Sequence, residues 1–291
     1  MSWIAVTEHR AQLGEGPFWD VPGQALYWAD IAGRQALRLT GSGLQAWQLP
    51  EPVSAFIPCE RGDALVTLSS GVYRLDLDSE PQAPSLTLLC VADPQAGNRA
   101  NEARCDARGR LWLGTMQNNI GEQGEELPVR QRSGGLFRID ADARVTPLAR
   151  DLGIPNTLLW NEDGTQLYFG DSLAGTLYRY SIARDGQLEA PREWFGPHPR
   201  GVPDGSAMDT EGYLWNARWD GGCLLRLAPN GEIDRVIELP VSRPTSCVFG
   251  GPQLRTLYVT SAASRFNHPL DGAVLAIEVD VPGTRCHRFA G

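Results

Sequence analysis

Lysine is absent from the 291-residue chain, and all 26 basic side chains are arginine. That excludes a Schiff-base lysine, a Walker-type Gly-Lys-Ser/Thr loop, a Ser-x-x-Lys nucleophile and the ATP-binding lysine of a kinase. Histidine is scarce: His9, His198, His268 and His287 form no His-Glu-x-x-His pair, and no Gly-x-Ser-x-Gly elbow occurs. No apolar run approaches the ~18 residues of a membrane-spanning helix. The opening M-S-W-I-A-V-T-E-H-R lacks the basic and apolar regions of a signal peptide, so a cytoplasmic location is expected. The six cysteines, at 59, 90, 105, 223, 247 and 286, contain no Cys-x-x-Cys pair, and a reduced, mostly buried set is expected. The net charge of -9 argues against a nucleic-acid partner. A monomer or weak oligomer that binds neither nucleic acid nor membrane is expected.

What is abundant is turn chemistry: 32 glycines and 21 prolines spread along the whole chain, between short apolar stretches. A pattern of apolar residues around one arginine recurs six times. It appears as A-L-R-L ending at Leu39, V-Y-R-L at Leu75, L-F-R-I at Ile139, L-Y-R-Y at Tyr180, L-L-R-L at Leu227 and, with Ala276 replacing the arginine, V-L-A-I at Ile277. Each copy is preceded by a turn and a second pattern, such as Leu26-Tyr27-Trp28 or Leu167-Tyr168-Phe169. Alternating strands repeated every ~40 to 55 residues predict an all-β, six-bladed β-propeller with four antiparallel strands per blade, one domain over residues 1–291. A β-sandwich also has short, regularly spaced strands, but has no reason to repeat one local pattern six times. W-I-A-V-T is expected to close the ring by adding a strand to the blade holding Val274 to Val279, which removes an exposed edge.

A second regularity lies five residues before the first residue of each hairpin turn. Counting back from Asp20, Cys59, Asp106, Asn161, Asp209 and Gly250 gives Glu15, Ser54, Asn101, Asn156, Asp204 and Thr245. These residues start the innermost strand of each blade, so six polar side chains are expected to face one axis. Any one of them is explained as a turn former beside glycine or proline. Four carboxylates and amides at one repeat phase are better explained as a cation cage, because two converging carboxylates otherwise repel. An all-oxygen donor set suits calcium, magnesium or manganese ahead of the softer zinc or iron. The stretch from Gln117 to Ser133 widens the third repeat. Its polar, breaker-rich sequence predicts an inserted loop, either a lid over the channel or a solvated excursion.

The motifs L-G-E-G-P-F-W from Leu13, N-R-A-N-E from Asn98, G-R-L-W-L-G-T-M from Gly109, I-P-N from Ile154, V-P-D-G from Val202 and S-C-V-F-G-G-P from Ser246 occur in this order. Together they resemble the senescence marker protein, gluconolactonase and regucalcin family of six-bladed propellers. The resemblance implies one divalent metal held by Glu15, Asn156 and Asp204, substrate binding by Arg99 and Asn101, and hydrolysis of a small-molecule sugar lactone to the aldonic acid. In that picture the metal polarises the lactone carbonyl, Asp204 is also the general base for water, and Arg99 forks onto substrate oxygens. Some members carry a glutamate as a further substrate ligand three residues after the G-T-M motif. Here that position is Asn119, beside Asn118. Two other readings compete: a metal-dependent hydrolase of other esters or phosphotriesters, and a non-catalytic calcium-binding propeller.

Overall fold

The computed structural model describes residues 2–264 and 268–291, and no helix long and apolar enough to cross a membrane occurs among them. All 24 elements among the described residues are strands. In chain order, β1 (Ile4–Ala5) is followed by the first full blade, β2 (Gly14–Asp20), β3 (Ala25–Asp30), β4 (Gln35–Thr40) and β5 (Gly43–Gln48). The second blade is β6 (Val53–Pro58), β7 (Ala64–Leu68), β8 (Gly71–Leu75) and β9 (Leu86–Cys90). The third is β10 (Asn98–Cys105), β11 (Leu111–Gln117), β12 (Gly134–Ile139) and β13 (Val145–Leu152). The fourth is β14 (Pro155–Trp160), β15 (Gln166–Asp171), β16 (Thr176–Ser181) and β17 (Arg192–Phe195). The fifth is β18 (Val202–Met208), β19 (Leu214–Trp219), β20 (Cys223–Leu227) and β21 (Ile233–Glu238). The sixth combines β22 (Pro244–Gly250), β23 (Thr256–Ser261) and β24 (Leu275–Glu278) with β1, so the N-terminal strand closes the ring as the sequence leads one to expect.

The recurrent arginines lie on the third strand of blades one to five, and two of them show the partners such a position finds. Arg74 pairs with Asp63 at 2.9 Å, and Arg226, 2% exposed, pairs with Asp209, Glu211 and Asp234. The core lies between neighbouring sheets. Phe56 of the second blade meets Tyr27 and Trp47 of the first at ring-centroid distances of 5.0 and 5.6 Å, edge to face. All six cysteines are free thiols, four of them buried.

The six innermost strands β2, β6, β10, β14, β18 and β22 contact one another in sequence around the axis. Each carries a register shift at the phase marked in the sequence: Glu15/Phe18, Val53/Ala55, Ala100/Ala103, Asn156/Leu158, Pro203/Ser206 and Pro244/Ser246. A bulge breaks the alternation of side chains and re-aims the residue beside it. Six bulges at one phase therefore turn a ring of strand starts toward the axis.

The C-terminal segment crosses the other ends of these strands. Gly283 N–H donates to Leu254 O, Thr284 N–H to Met208 O, Phe289 N–H to Pro58 O and Ala290 N–H to Gly109 O, while Arg288 forks onto Asp20 at 2.8 and 2.6 Å. The far end of the channel is thus covered, with the Phe289 ring fully buried. Phe289→Ala is expected to destabilise the protein by about 3–5 kcal/mol, the range for emptying a buried phenylalanine site. Chemical denaturation of wild type and variant checks this, and an unchanged midpoint would show that the segment contributes nothing to closure.

Candidate functional site

At the strand-start end of the axis lies a cavity of about 470 Å³. Glu15, Arg99, Asn101, Asn119, Asn156 and Asp204 all line it, so every site residue expected from the sequence is brought to one place. Ser54 and Thr245, the remaining members of the six-residue phase, are not among its walls. Their hydroxyls are buried and engaged, Ser54 with Thr67 at 2.8 Å and Thr245 with the Gly14 carbonyl at 2.5 Å. The ring of six thus divides into four residues that line the cavity and two whose hydroxyls bond within the frame.

The acidic residues are held away from water without full compensation. Glu15 accepts one backbone hydrogen bond, from Gly16 N–H at 3.1 Å, yet burial and the neighbouring Glu102 push its pKa up to about 8. Asp204 is raised well above the usual carboxylate range by burial first, then by Glu15 and Glu102. Its Oδ1 is buried without a hydrogen-bond partner among the described residues. Withdrawing each carboxylate from water costs on the order of several kcal/mol, whereas a backbone hydrogen bond returns about 1 kcal/mol. Shared protons or a bound cation must make up the difference.

The amides show which atoms are left for a ligand. Ser172 Oγ donates to Pro203 O at 2.6 Å and therefore accepts from Asn156 Nδ2 at 2.9 Å, which leaves Asn156 Oδ1 to accept from Asn101 Nδ2 at 3.3 Å. Glu15, Asn156 Oδ1 and the orphaned Asp204 Oδ1 form an all-oxygen set fit for a hard divalent cation. Among the described residues no trio of His, Cys, Asp or Glu alone forms a metal centre, in keeping with a set that uses an amide.

Arg99 is 3% exposed, and burial lowers its pKa to about 10 against the pull of Glu15 and Asp204. Its Nε and Nη2 both donate to Asn119 Oδ1, at 3.0 and 2.6 Å, and its Nη1 donates to Ala100 O and Asn101 Oδ1. Of the five guanidinium hydrogens, one on Nη2 is left. The fork onto substrate oxygens expected for Arg99 is not available in this arrangement, because Asn119 and Asn101 occupy it. Asn101 is likewise committed, donating to Pro155 O at 2.8 Å while accepting from Arg99. Asn119 keeps its Nδ2 free of partners among the described residues, whereas Asn118 turns to the Ile120 backbone.

Several contributors escape a strand-by-strand reading of the sequence. Glu102 is buried beside Glu15 and Asp204 because the Ala100/Ala103 shift takes it and Asn101 together out of regular pairing. Ser172, Asn216 and the fully buried Arg218 come from second strands or the turns after them. The only signal for Glu102 is its place next to Asn101.

The inserted loop lies across the cavity mouth. Ile120, Gly124 and Glu126 are among its walls, Arg34 of the first blade donates to Glu122 O at 3.2 Å, and Arg243 reaches Glu126 at 3.3 Å. Arg243 itself rests over the Trp219 ring at 4.6 Å. Of the two arrangements open to the loop, the structure places it over the channel.

The profile of the SMP-30/Gluconolactonase/LRE-like region matches residues 13–263. The chain is similar to a 6-deoxy-6-sulfogluconolactonase of Pseudomonas putida, with 37% identity across 98% of both chains. It is also similar to an L-arabinolactonase of Azospirillum brasilense, with 33% identity across 98% of this chain and 95% of that one. Among solved structures, a calcium-binding regucalcin from Agrobacterium tumefaciens has a TM-score of 0.88 and 27% identity, covering 99% of this chain and 97% of that one.

The raised carboxylates give a pH prediction for chelator-treated protein. The folded chain keeps a proton on Glu15 up to about pH 8, while the unfolded chain releases it near 4.5, so the folded state binds more protons between those values. This contribution to stability is fully present below pH 4.5 and falls as pH rises toward 8. Thermal midpoints measured with chelator across that range should decline less in Glu15→Gln than in wild type. Parallel curves would remove the electrostatic conflict from the site.

Proposed function

The chain belongs to the SMP-30/gluconolactonase/LRE-like family, and from that premise we propose that it hydrolyses a sugar lactone, a pentono- or hexonolactone, to the aldonic acid with the help of one divalent metal ion. The observation that carries the metal and the chemistry is Asp204. It is a buried carboxylate with an unpartnered oxygen, in a cavity that also holds Glu15, Asn156 Oδ1 and a buried arginine. The lactone substrate is supported by relatives named as lactonases over nearly their whole length.

Glu15, Asn156 and Asp204 would hold the cation, which when bound would supply a Lewis acid for the lactone carbonyl and positive charge for the developing oxyanion. Asp204 takes the proton from the attacking water as its oxygen bonds to the carbonyl carbon. When the ring C–O bond breaks, that proton passes to the leaving ring oxygen, which becomes the hydroxyl of the aldonic acid. The remaining N–H of Arg99 and the free Nδ2 of Asn119 donate to substrate oxygens, and the Arg99 charge favours the carboxylate product. The walls formed by Ile31, Met116, Ile120, Ile154 and Leu173 limit water around the reacting atoms. A protein that only stores calcium has no need of a buried arginine holding an asparagine beside the ion, and this favours turnover.

Chelation is expected to abolish hydrolysis in a pH-indicator assay over a panel of aldonolactones while circular dichroism shows the propeller intact. Full activity after verified metal removal refutes the mechanism.

Asp204→Asn keeps an oxygen donor and nearly the same shape but loses the proton acceptor. The variant should retain metal, more weakly held, and lose about 10²- to 10⁴-fold in rate even at saturating metal. A metal-loaded variant within a few-fold of wild type would assign the base elsewhere.

A further inference from the structure

Thr157 follows Asn156 and is the residue that the bulge between Asn156 and Leu158 leaves outside the pairing of β14 with β15. Its φ is +49°, in the left-handed region that β-branched side chains avoid. At the same phase of the first blade, the residue after Glu15 is Gly16, with φ +57°, where a Cβ would stand 2.8 Å from the Ser54 carbonyl oxygen. The first blade meets the backbone requirement with glycine. The fourth meets it with threonine, which carries backbone strain there.

The threonine hydroxyl accounts for this choice. Thr157 is 0% exposed, and its Oγ1 donates to the Asp204 carbonyl at 2.5 Å and lies 2.7 Å from Ser206 Oγ. Asn216 Nδ2 donates to the same carbonyl at 3.0 Å and to Ser206 Oγ at 2.9 Å, and Arg218 Nη1 donates to Asn216 Oδ1 at 3.0 Å. The buried hydrogen bonds of the hydroxyl offset that strain. Asn156 and Asp204 belong to different blades, and this hydroxyl ties the backbone next to one directly to the backbone of the other.

We propose that Thr157 is a positioning residue, a strained clasp that sets the separation of Asn156 and Asp204 and thereby the affinity and geometry of the cation site between blades four and five. The inference rests on the metal reading of the preceding subsection. A hard divalent ion binds oxygens at about 2.0–2.6 Å, so a shift between two blades is felt directly in affinity.

Three variants test it. Thr157→Val keeps the shape and the β-branch and deletes the hydroxyl, Thr157→Ser keeps the hydroxyl, and Thr157→Gly removes strain and hydroxyl together. Calcium and manganese ions are titrated separately into chelator-stripped protein, beside thermal midpoints and lactone kinetics. Thr157→Val is expected to lose about 10- to 100-fold in metal affinity, the usual range for a residue supporting a ligand, with kcat falling and KM within a few-fold. Thr157→Ser should stay close to wild type. Thr157→Gly should bind metal as weakly as the valine variant while its midpoint falls less.

A merely structural role would lower the midpoints and leave the affinities alone. Wild-type affinity in folded Thr157→Val overturns the clasp, and if the valine variant does not fold, wild-type affinity in Thr157→Gly does so. A wild-type chain that binds neither ion overturns the clasp together with the metal reading. Metal binding without lactone turnover overturns only the lactonase reading, and the affinity series still decides the clasp.

Discussion

The organisation of the axis depends on the removal of water from converging acidic groups. Glu15, Glu102 and Asp204 arrive from three inner strands; burial raises the pKa of all three, and repulsion by neighbouring carboxylates adds to it at Glu15 and Asp204. Two buried arginines, Arg99 and Arg218, moderate the field, and burial lowers both to about 10. Their hydrogens are directed elsewhere. Arg99 holds Asn119, Asn101 and its neighbouring carbonyl, while Arg218 holds Asn216 and the carbonyls of Arg200 and Gly201. Among the described residues positive charge is therefore present without a guanidinium seated on Asp204 Oδ1, and the carboxylate stays open to a ligand.

Such a site needs a frame that does not relax when like charges are pressed together. Each of the four cavity-facing polar residues Glu15, Asn101, Asn156 and Asp204 sits at a bulge in a strand that is paired on one side and packed against neighbouring inner strands. The cost of moving one residue is spread through a whole sheet. The covered far end, with Arg288 on Asp20 and Phe289 between the blades, leaves access from the side where the inserted loop lies. On that side the cavity is walled by the loop and rim, where Asn119, Ile120, Glu126 and Arg243 meet.

Much of this is legible in the sequence because a propeller repeats. The arginine pattern marks the third strands of five blades, and a fixed offset from each hairpin turn finds Glu15, Asn101, Asn156 and Asp204 without knowledge of the fold. The same offset also finds Ser54 and Thr245, whose hydroxyls serve neighbouring strands, since a shared phase sets which end of a strand a residue occupies and not the partner it meets. Glu102 escapes because a bulge carries consecutive residues out of alternation. Thr157 escapes because threonine in a β-rich stretch is ordinary until its φ is known. The pairing of Arg99 with Asn119 escapes for a related reason: the acceptor lies 20 residues along the chain at the end of the next strand and its loop.

The sequence by itself determined the repeat, the number of blades, the N-terminal closure and the residues that start the inner strands, because each depends on local periodicity and turn chemistry acting over a few residues. It also limited the chemistry, since a chain without lysine and with scattered histidines leaves oxygen ligands and arginine for the work. The tertiary structure decided which of six equivalent positions face the cavity, which hydrogens of Arg99 are already taken, that the inserted loop lies over the mouth, and that Thr157 ties Asn156 to Asp204. Those outcomes depend on competition for hydrogen-bond partners among residues from different blades, and such competition is settled only when the six sheets meet at one axis.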